Sequence, residues 1–179
     1  KKLNIIILQH YFILSLLVKI NKYNSSIEIT KAMFLFHLIH KLETNKIIKQ
    51  LNKQLRDHIN KNGMHKSMNP CIHAEYINHL YEIKNICLFF EFVPPKEIEF
   101  QIINMSAVLK NLFHKDGMIA LFNGSNNANI ESITKINKLI NDITAKNLAK
   151  IRNGLAIFEN NKFKVFFDAI KPNSKLLNQ

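Results

Sequence analysis

The sequence is short of several residue types on which particular functions depend. Its two cysteines, Cys71 and Cys87, are too few for a disulfide framework and have no CxxC spacing. Its four glycines form no glycine-rich phosphate loop, and neither a GxSxG nor an HExxH motif occurs. These absences argue against nucleotide-dependent enzymes and serine hydrolases, and we expect both cysteines to pack as small apolar side chains.

Arginine is also scarce, although the chain is strongly basic. Of 25 basic residues only Arg56 and Arg152 are arginines, and the net charge is +12 with a pI near 9.7. Such a charge raises nucleic acid, anionic lipid or acidic polymer as partners. A lysine-rich, Ile- and Asn-rich composition is what an AT-rich genome produces, however, and nucleic-acid sites favour the planar fork of arginine. We therefore expect no nucleic-acid partner, and a basic module that binds nucleic acid is the alternative. The most basic stretch, residues 41–66, is expected to be a solvated helix face, with an anion-attracting surface as the alternative.

No uninterrupted hydrophobic run is long enough for a membrane span. The best candidate, residues 3–20, is interrupted by polar and charged side chains at Asn4, Gln9, His10, Ser15 and Lys19. Such groups are costly at the centre of a bilayer. We expect this segment to be a buried amphipathic helix.

Apolar residues recur at helical spacing through the first two thirds of the chain, which predicts stacked helical hairpins. Ser25 with Glu28 has the spacing of a capping box, and Asn45 is the predicted cap of the next helix. Asn69 and Pro70 are the expected cap and first turn of a later helix, which two prolines then end. The predicted helices cover residues 3–22, 27–43, 46–60, 70–92 and 95–114.

The pattern changes after Asp116-Gly117. Residues 118–122 are a short apolar run between Gly117 and Asn123-Gly124, which predicts a buried strand. Residues 125–129 are a predicted polar loop, and residues 130–150 have isoleucines near helical spacing. Residues 154–159 and 163–169 predict a β-hairpin around Asn160-Asn161. Helices followed by strands predict an α+β fold.

The densest polar cluster is the loop NGMHKSMNPCIH at residues 62–73. It brings five polar side chains to the start of a helix, whose free backbone amides favour an anion: His65, Lys66, Ser67, Asn69 and His73. A histidine can move protons, an asparagine amide can bind a carboxylate, and a lysine can attract an acidic substrate. The structural alternative is that Asn69 only caps the helix, the glycine only turns the chain and both histidines lie at the surface.

Two other groups have a spacing that chemistry could use. His37 and His40 are three residues apart on one predicted helix, but no acidic residue with ligand spacing accompanies them, so a role in helix packing is favoured over a metal site. Tyr76 and Tyr81, with His79 between them, could line a cleft and are more often the edge of a core.

Two segments together resemble a known family. NGMHKSMNP at residues 62–70 and FHKDGMIALFNG at residues 113–124 resemble the heparinase II/III-like family, and NGLAIFENNKFKVFFDA is similar to the first hairpin of its sheet region. The resemblance covers about residues 30–172, and the second segment is its specific part. It implies the C-terminal part of an α/α toroid at residues 1–115 and the start of an antiparallel β-sandwich at residues 116–179.

The resemblance also implies a chemistry. Characterised members are polysaccharide lyases that cleave uronate-containing polymers by β-elimination. By motif position, Asn69 is the expected partner of the uronate carboxylate, and His65 or His73 the expected base or acid. Asn62, Lys66 and Ser67 are expected to bind substrate.

One departure from the family pattern bears on activity. Ile72 stands before His73, where the lyases carry a tyrosine, and isoleucine cannot transfer a proton. Either Tyr76 or a residue outside this chain supplies the phenol, or the protein is a non-catalytic member of the fold that binds glycans or assists envelope assembly.

The resemblance implies a periplasmic or envelope location, with the cytoplasm as the alternative. The chain begins without Met and stops soon after a strand-like run, so we expect it to be an internal piece of a longer protein. The metal-binding and second catalytic histidine of the family would follow residue 179. We therefore expect no cofactor in this piece, a structural metal in the sandwich beyond it, and no catalysis by the piece alone.

Overall fold

A computed structural model describes residues 2–20, 26–125, 155–159 and 163–168, together with residues 133, 135, 136 and 140. This part of the chain is mostly helical, with five helices and a small two-stranded antiparallel sheet, as expected of an α+β chain. The helices are α1 (Lys2–Ile20), α2 (Ile27–Ile39), α3 (Asn45–His58), α4 (Pro70–Phe89) and α5 (Lys96–Asn111). The strands are β1 (Leu155–Glu159) and β2 (Lys164–Asp168).

All five predicted helices are confirmed, but the caps predicted for two of them are wrong. The Oγ of Ser26 accepts a hydrogen bond from the Ile29 N–H at 3.4 Å, so Ser26 and not Ser25 caps α2. Ser25 lies outside the described residues. Asn45 is the first residue of α3 rather than its cap, because the Thr44 carbonyl already accepts from the Ile48 N–H at 3.0 Å.

Two helices, α2 and α4, end earlier than their apolar pattern predicts, because a residue with left-handed backbone dihedral angles follows each of them. Lys41 has φ 51° and Glu91 has φ 53°, a conformation that reverses the chain after a helix. The Phe92 N–H then donates to the Cys87 carbonyl at 2.8 Å. As a result, α4 stops before the prolines that were expected to end it.

The chain divides into two compact units. The first unit comprises residues 1–57 and 79–99, and the second comprises residues 58–78 and 100–179. The predicted boundary between a toroid at residues 1–115 and a sandwich at residues 116–179 stays a prediction.

The core of the first unit is built from buried apolar side chains of α2, α3, α4 and the start of α5. Phe34 is fully buried and meets Phe92 edge to face, with 5.8 Å between the ring centroids. The other fully buried side chains of this core include Leu51, Leu55, Leu80, Ile83, Cys87 and Ile98. The predicted apolar role of Cys87 is therefore confirmed.

The prediction that residues 3–20 form a helix is confirmed, but the prediction that this helix is buried is wrong. The Tyr11 ring stacks on Phe36 of α2 with 4.0 Å between centroids, and the stripe that contains Tyr11 is partly covered. Contact with α2 partly covers one stripe, and seven large apolar side chains between residues 5 and 16 are exposed. The exposed apolar residues are Ile5, Ile6, Ile7, Leu8, Phe12, Ile13 and Leu16. Among the described helices, none combines the length and the apolar character needed to cross a membrane.

The core of the second unit lies between the start of α4 and the main part of α5. Ile77 from α4 and Met105 and Leu109 from α5 are fully buried, as is Met64 from the loop that precedes α4. Ile133, Ile136 and Ile140 are helical and buried, as the isoleucine spacing predicts, while most of residues 130–150 lie outside the described residues.

The predicted strand at residues 118–122 is wrong. Phe113 and Ile119 form an isolated antiparallel bridge, and Gly117, with φ +83°, lies in the turn between them. Around this bridge the His114 N–H donates to the Met118 carbonyl at 2.7 Å and the Ala120 N–H donates to the Leu112 carbonyl at 2.8 Å. Leu112 directly follows α5, so little extended backbone is left for further pairing. Ile119 is buried, whereas Met118 and Leu121 are each 46% exposed, so the run does not form a buried strand.

The predicted hairpin is confirmed. β1 and β2 pair antiparallel, with Leu155 opposite Asp168 and Glu159 opposite Lys164. The turn that joins them, including Asn160-Asn161, lies outside the described residues. The hairpin belongs to the second unit, as does the loop at residues 62–73.

Candidate functional site

The candidate site is built on a loop that folds back on itself between α3 and α4. Ile59 and His65 form an antiparallel bridge, and the Lys66 N–H donates to the His58 carbonyl at 2.7 Å. Asn62-Gly63 forms the turn between the two arms, as the sequence predicts. This pairing brings His58, the last residue of α3, alongside His65.

The turn requires glycine at position 63. Gly63 has φ +80°, and a Cβ placed there would lie 3.0 Å from the backbone oxygen of Asn104 in α5. A side chain would therefore meet both backbone strain and a rigid helix. The close approach packs the tip of the loop directly on α5.

Three rings meet at the base of this loop, and we call His58, His65 and Tyr76 the ring cluster. The centroid distances are 5.2 Å between His65 and Tyr76, 5.7 Å between His58 and Tyr76, and 5.8 Å between His58 and His65. Tyr76 is 5% exposed, while both histidines are half-buried. The cluster thus sets two half-buried imidazoles beside a phenol whose hydroxyl is buried.

The ring of His65 is held in one orientation by Ser67. Nδ1 of His65 accepts from the Ser67 N–H at 3.2 Å and lies 2.8 Å from the Ser67 Oγ. Because a backbone N–H can only donate, the neutral ring carries its proton on Nε2. Burial lowers the pKa of His65 to about 3, and the nearby His58, His73 and Lys66 add to the shift by repelling a positive charge.

His73 is fully buried, and backbone groups engage both of its ring nitrogens. Its Nδ1 accepts from the His65 N–H at 3.1 Å, and its Nε2 donates to the Met105 carbonyl at 2.9 Å. Burial lowers the pKa of His73 to about 4, against a smaller opposite effect of the bond to Met105. The expectation of a surface histidine is therefore wrong for His73, whose neutral ring ties the loop to α5.

Asn69 has the predicted capping geometry. Its Oδ1 accepts from the Cys71 N–H at 2.8 Å and from the Ile72 N–H at 3.0 Å, which confirms it as the cap of α4. Its Nδ2 donates to the Asn123 carbonyl at 3.0 Å, and the Asn123 Nδ2 donates to the Met68 carbonyl at 3.2 Å. The two sequence segments that carry the resemblance are therefore hydrogen-bonded to each other.

The remaining predicted substrate-binding residues border the same loop. Lys66 is exposed, Asn62 and Ser67 are half-buried, and the Asn62 N–H donates to the Asn60 Oδ1 at 2.9 Å. Ile72 is 40% exposed on the first turn of α4. A cation and several polar groups therefore lie next to the ring cluster.

The other histidines singled out from the sequence have structural partners. His37 accepts from the Tyr11 hydroxyl through Nε2 at 2.7 Å and donates through Nδ1 to the Glu43 carbonyl at 2.6 Å, which confirms its packing role. His79 contacts Glu28 at 2.9 Å and Glu82 at 3.4 Å. In the described ranges, no group of three or more His, Cys, Asp or Glu side chains could hold a metal ion.

Sequence reasoning missed His58 and the amide of Asn123. The signal for His58 was present, because an Asn62-Gly63 turn pairs the residues on either side of it and so predicts that residues near 59 meet residues near 65. Asn123 carried no such signal, since its partner Asn69 is more than fifty residues away in the chain.

The arrangement can hold an anionic ligand near the exposed Lys66 and the half-buried His65, whereas the hydroxyl of Tyr76 is buried. A half-buried histidine that stays neutral near pH 7, as the lowered pKa of His65 requires, can accept or donate hydrogen bonds without carrying a positive charge. Comparison of the chain with family models, with curated proteins and with solved structures gives no match.

Proposed function

We propose that this chain is part of a polysaccharide lyase of the heparinase II/III-like type, acting by β-elimination on an acidic, uronate-containing polysaccharide. The observation that carries the proposal is the ring cluster, which puts a phenol and two imidazoles beside an exposed lysine. The proposed architecture is a partial α/α toroid followed by the first strands of a β-sandwich, in a periplasmic or envelope protein.

The elimination needs three groups in contact with the substrate. A base takes the proton on C5 of the uronate, the C–H electron pair becomes the C4–C5 double bond, and the bond from C4 to the leaving oxygen breaks as that oxygen takes up a proton. A hydrogen-bond donor must also stabilise the uronate carboxylate while negative charge develops at C5.

The geometry favours particular residues for these roles. We assign the proton transfer to Tyr76, which lies one helical turn after Ile72, the position where the family pattern has a tyrosine. The Tyr76 hydroxyl is buried in the free chain, so this assignment requires that substrate binding uncovers it. His65 carries its proton on Nε2, which suits it to donate to the carboxylate or to the leaving oxygen. Lys66 attracts the polymer, and Asn62 and Ser67 of the same loop are assigned to bind it.

His73 and Asn69 fit positioning roles better than direct catalysis. The nitrogens of His73 bind the backbone of His65 and Met105, and Asn69 binds the first turn of α4 and the Asn123 carbonyl. Both therefore hold His65 and Tyr76 in place.

Two substitutions in the complete protein test the proposal. Tyr76→Phe keeps the ring and removes the hydroxyl, and His65→Ala removes the proposed donor. We expect each to lower kcat/KM on uronate polymers by about 10²- to 10⁴-fold, measured by the ultraviolet absorbance of the unsaturated product. His10→Ala, on the exposed surface of α1, is the matched control and should keep full activity. Full activity of both test variants would contradict the assignment.

A non-catalytic glycan-binding or envelope-assembly protein is the second candidate. The observation that favours it is that Asn69 and His73 use their polar atoms to hold the loop, and that Ile72 replaces the expected phenol. Under this alternative the complete protein binds acidic glycans without turnover. Accumulation of unsaturated uronate from any polymer in a panel would exclude it.

A further inference from the structure

The second unit contains a cavity outside the ring cluster. It measures about 340 Å³, and its lining comes from the segment after α5 and from β2. Its lining includes His114, Phe122, Lys164 and Phe166. A cavity of this size is within the usual range for small ligands.

The lining combines aromatic surface with a cation. The Phe166 ring meets His114 edge to face at 4.9 Å and lies 6.3 Å from the Phe122 ring. The Nζ of Lys164 lies 5.5 Å from the Phe166 centroid. The cavity therefore has an apolar wall of aromatic rings with a positive charge at one edge.

The ammonium group of Lys164 is held in place but incompletely neutralised. Its side chain is 9% exposed, and it donates to the Phe113 carbonyl at 2.9 Å. The carboxylate of Glu159 lies 3.5 Å away and is itself 48% exposed, so it is a weak counter-ion. A cation that is largely removed from water and poorly paired attracts an additional anion.

The cavity is linked to the candidate site through the chain. Phe122 lines it, and the next residue, Asn123, accepts the hydrogen bond from Asn69. A polymer bound at the ring cluster therefore has an anion-attracting cavity in the same unit.

We infer that this cavity is a subsite for one acidic sugar ring, with the C–H face of the sugar on Phe122 and Phe166 and its carboxylate on Lys164 beside His114. The choice of a uronate rests on the proposed function. An aromatic wall suits the apolar face of a pyranose, and a preplaced ammonium suits the carboxylate that distinguishes a uronate from a neutral hexose. Lys164 would thus set selectivity for acidic polymers.

Binding measured on the 179-residue chain tests the inference without requiring catalysis. Short oligomers of galacturonate, mannuronate and chondroitin are titrated by calorimetry, with maltotriose as the neutral control. We expect Lys164→Met to weaken binding of at least one acidic oligomer about 10-fold or more, while Lys164→Arg largely retains it. Phe166→Leu should weaken it about three- to tenfold. Glu159→Gln should strengthen it about two- to fivefold by removing the competing carboxylate.

Matched controls separate the cavity from general charge and from folding. Lys115→Met removes an exposed lysine next to His114, and Phe163→Leu removes an exposed ring next to β2; neither lines the cavity. Both should bind like the parent chain, and far-ultraviolet circular dichroism should show the same helical content in all variants. An equal loss of affinity in Lys115→Met and Lys164→Met would show that the effect comes from net charge alone, and it would overturn the subsite.

The results distinguish this inference from the proposed function. No binding of any acidic oligomer, or binding that Lys164→Met and Phe166→Leu leave unchanged, overturns the subsite even if the complete protein is a lyase. Binding that depends on both residues supports the subsite even if no unsaturated product forms, in which case the lyase proposal fails alone. Equal affinity for maltotriose would overturn the role of Lys164 in selecting acidic rings.

Discussion

Asn69 and Asn123 join the two ends of the candidate site through a hydrogen bond of 3.0 Å from the Nδ2 of Asn69 to the carbonyl of Asn123. Asn123 returns a bond from its own amide to the Met68 carbonyl at 3.2 Å. Asn123 adopts φ 53°, a left-handed conformation that asparagine tolerates better than most residues. The start of α4 and the segment after α5 are thereby held together.

The first prediction separates the two roles of Asn69. Asn69→Ala removes the cap of α4 and the bond to Asn123, and we expect it to lower the free energy of unfolding by about 1–3 kcal/mol. Asn69→Asp keeps an oxygen for the cap and loses the donor to Asn123, so it should cost less than Asn69→Ala. Urea denaturation followed by circular dichroism measures both. A larger loss in Asn69→Asp would show that the cap contributes little.

A second prediction concerns the glycine at the tip of the loop. Gly63→Ala combines a left-handed φ with a Cβ 3.0 Å from the Asn104 oxygen, so it should lose more stability than the strain of about 1–2 kcal/mol alone. Gly117→Ala is the matched control, because Gly117 has φ +83° and a Cβ added there would meet no atom within 4 Å. Equal losses of stability in the two variants would mean that α5 shifts enough to accommodate the Cβ added at position 63.

The third prediction is a dependence of stability on pH. Burial lowers the pKa of His73 from 6.5 to about 4 in the folded chain, so on acidification the unfolded chain takes up this proton first. Stability should therefore fall as the pH drops from about 6.5 towards about 4, by on the order of 3 kcal/mol for His73. The lowered pKa of His65 acts in the same direction.

Urea midpoints measured between about pH 7 and about pH 4.5 test this dependence. His73→Gln removes the titrating ring and should flatten the profile, whereas His10→Gln, on an exposed helix surface, should leave it unchanged. An unchanged slope in His73→Gln would assign the pH dependence to other groups.

The fourth prediction tests the contact between α1 and α2. The Tyr11 hydroxyl donates to the Nε2 of His37, whose Nδ1 donates to the Glu43 carbonyl. Tyr11→Phe keeps the stacking on Phe36 and should lower the free energy of unfolding by about 0.5–1.5 kcal/mol. A double-mutant cycle with His37→Ala should give a coupling energy of similar size, and a coupling of zero would contradict the hydrogen bond.

Local chemistry explains what the sequence predicted well. The start of α4 follows from Asn69 and Pro70, whose side chains fit a cap and a first turn in any tertiary setting. The hairpin at residues 155–168 follows from alternating apolar residues around two asparagines. These features depend on neighbours within a few residues, and such neighbours are visible in a sequence.

Features that depend on distant partners were missed or misjudged. His73 looks like a loop histidine in the sequence, but α5 buries it and supplies the Met105 carbonyl for its ring. The apolar run at residues 118–122 resembles a strand, but it pairs with the short segment that follows α5 instead of with another strand. Its pattern carries no information about that partner.

The amino-acid sequence by itself determined where the helices and the hairpin lie, because periodicity, caps and turns act within one or two turns of the chain. Only the tertiary structure decided which polar side chains meet. It joined His58 to His65 and Tyr76, and Asn69 to Asn123, since these contacts depend on how the loop folds back and on which helix covers it. Burial then set the protonation of His65 and His73, because desolvation depends on every segment that surrounds a side chain.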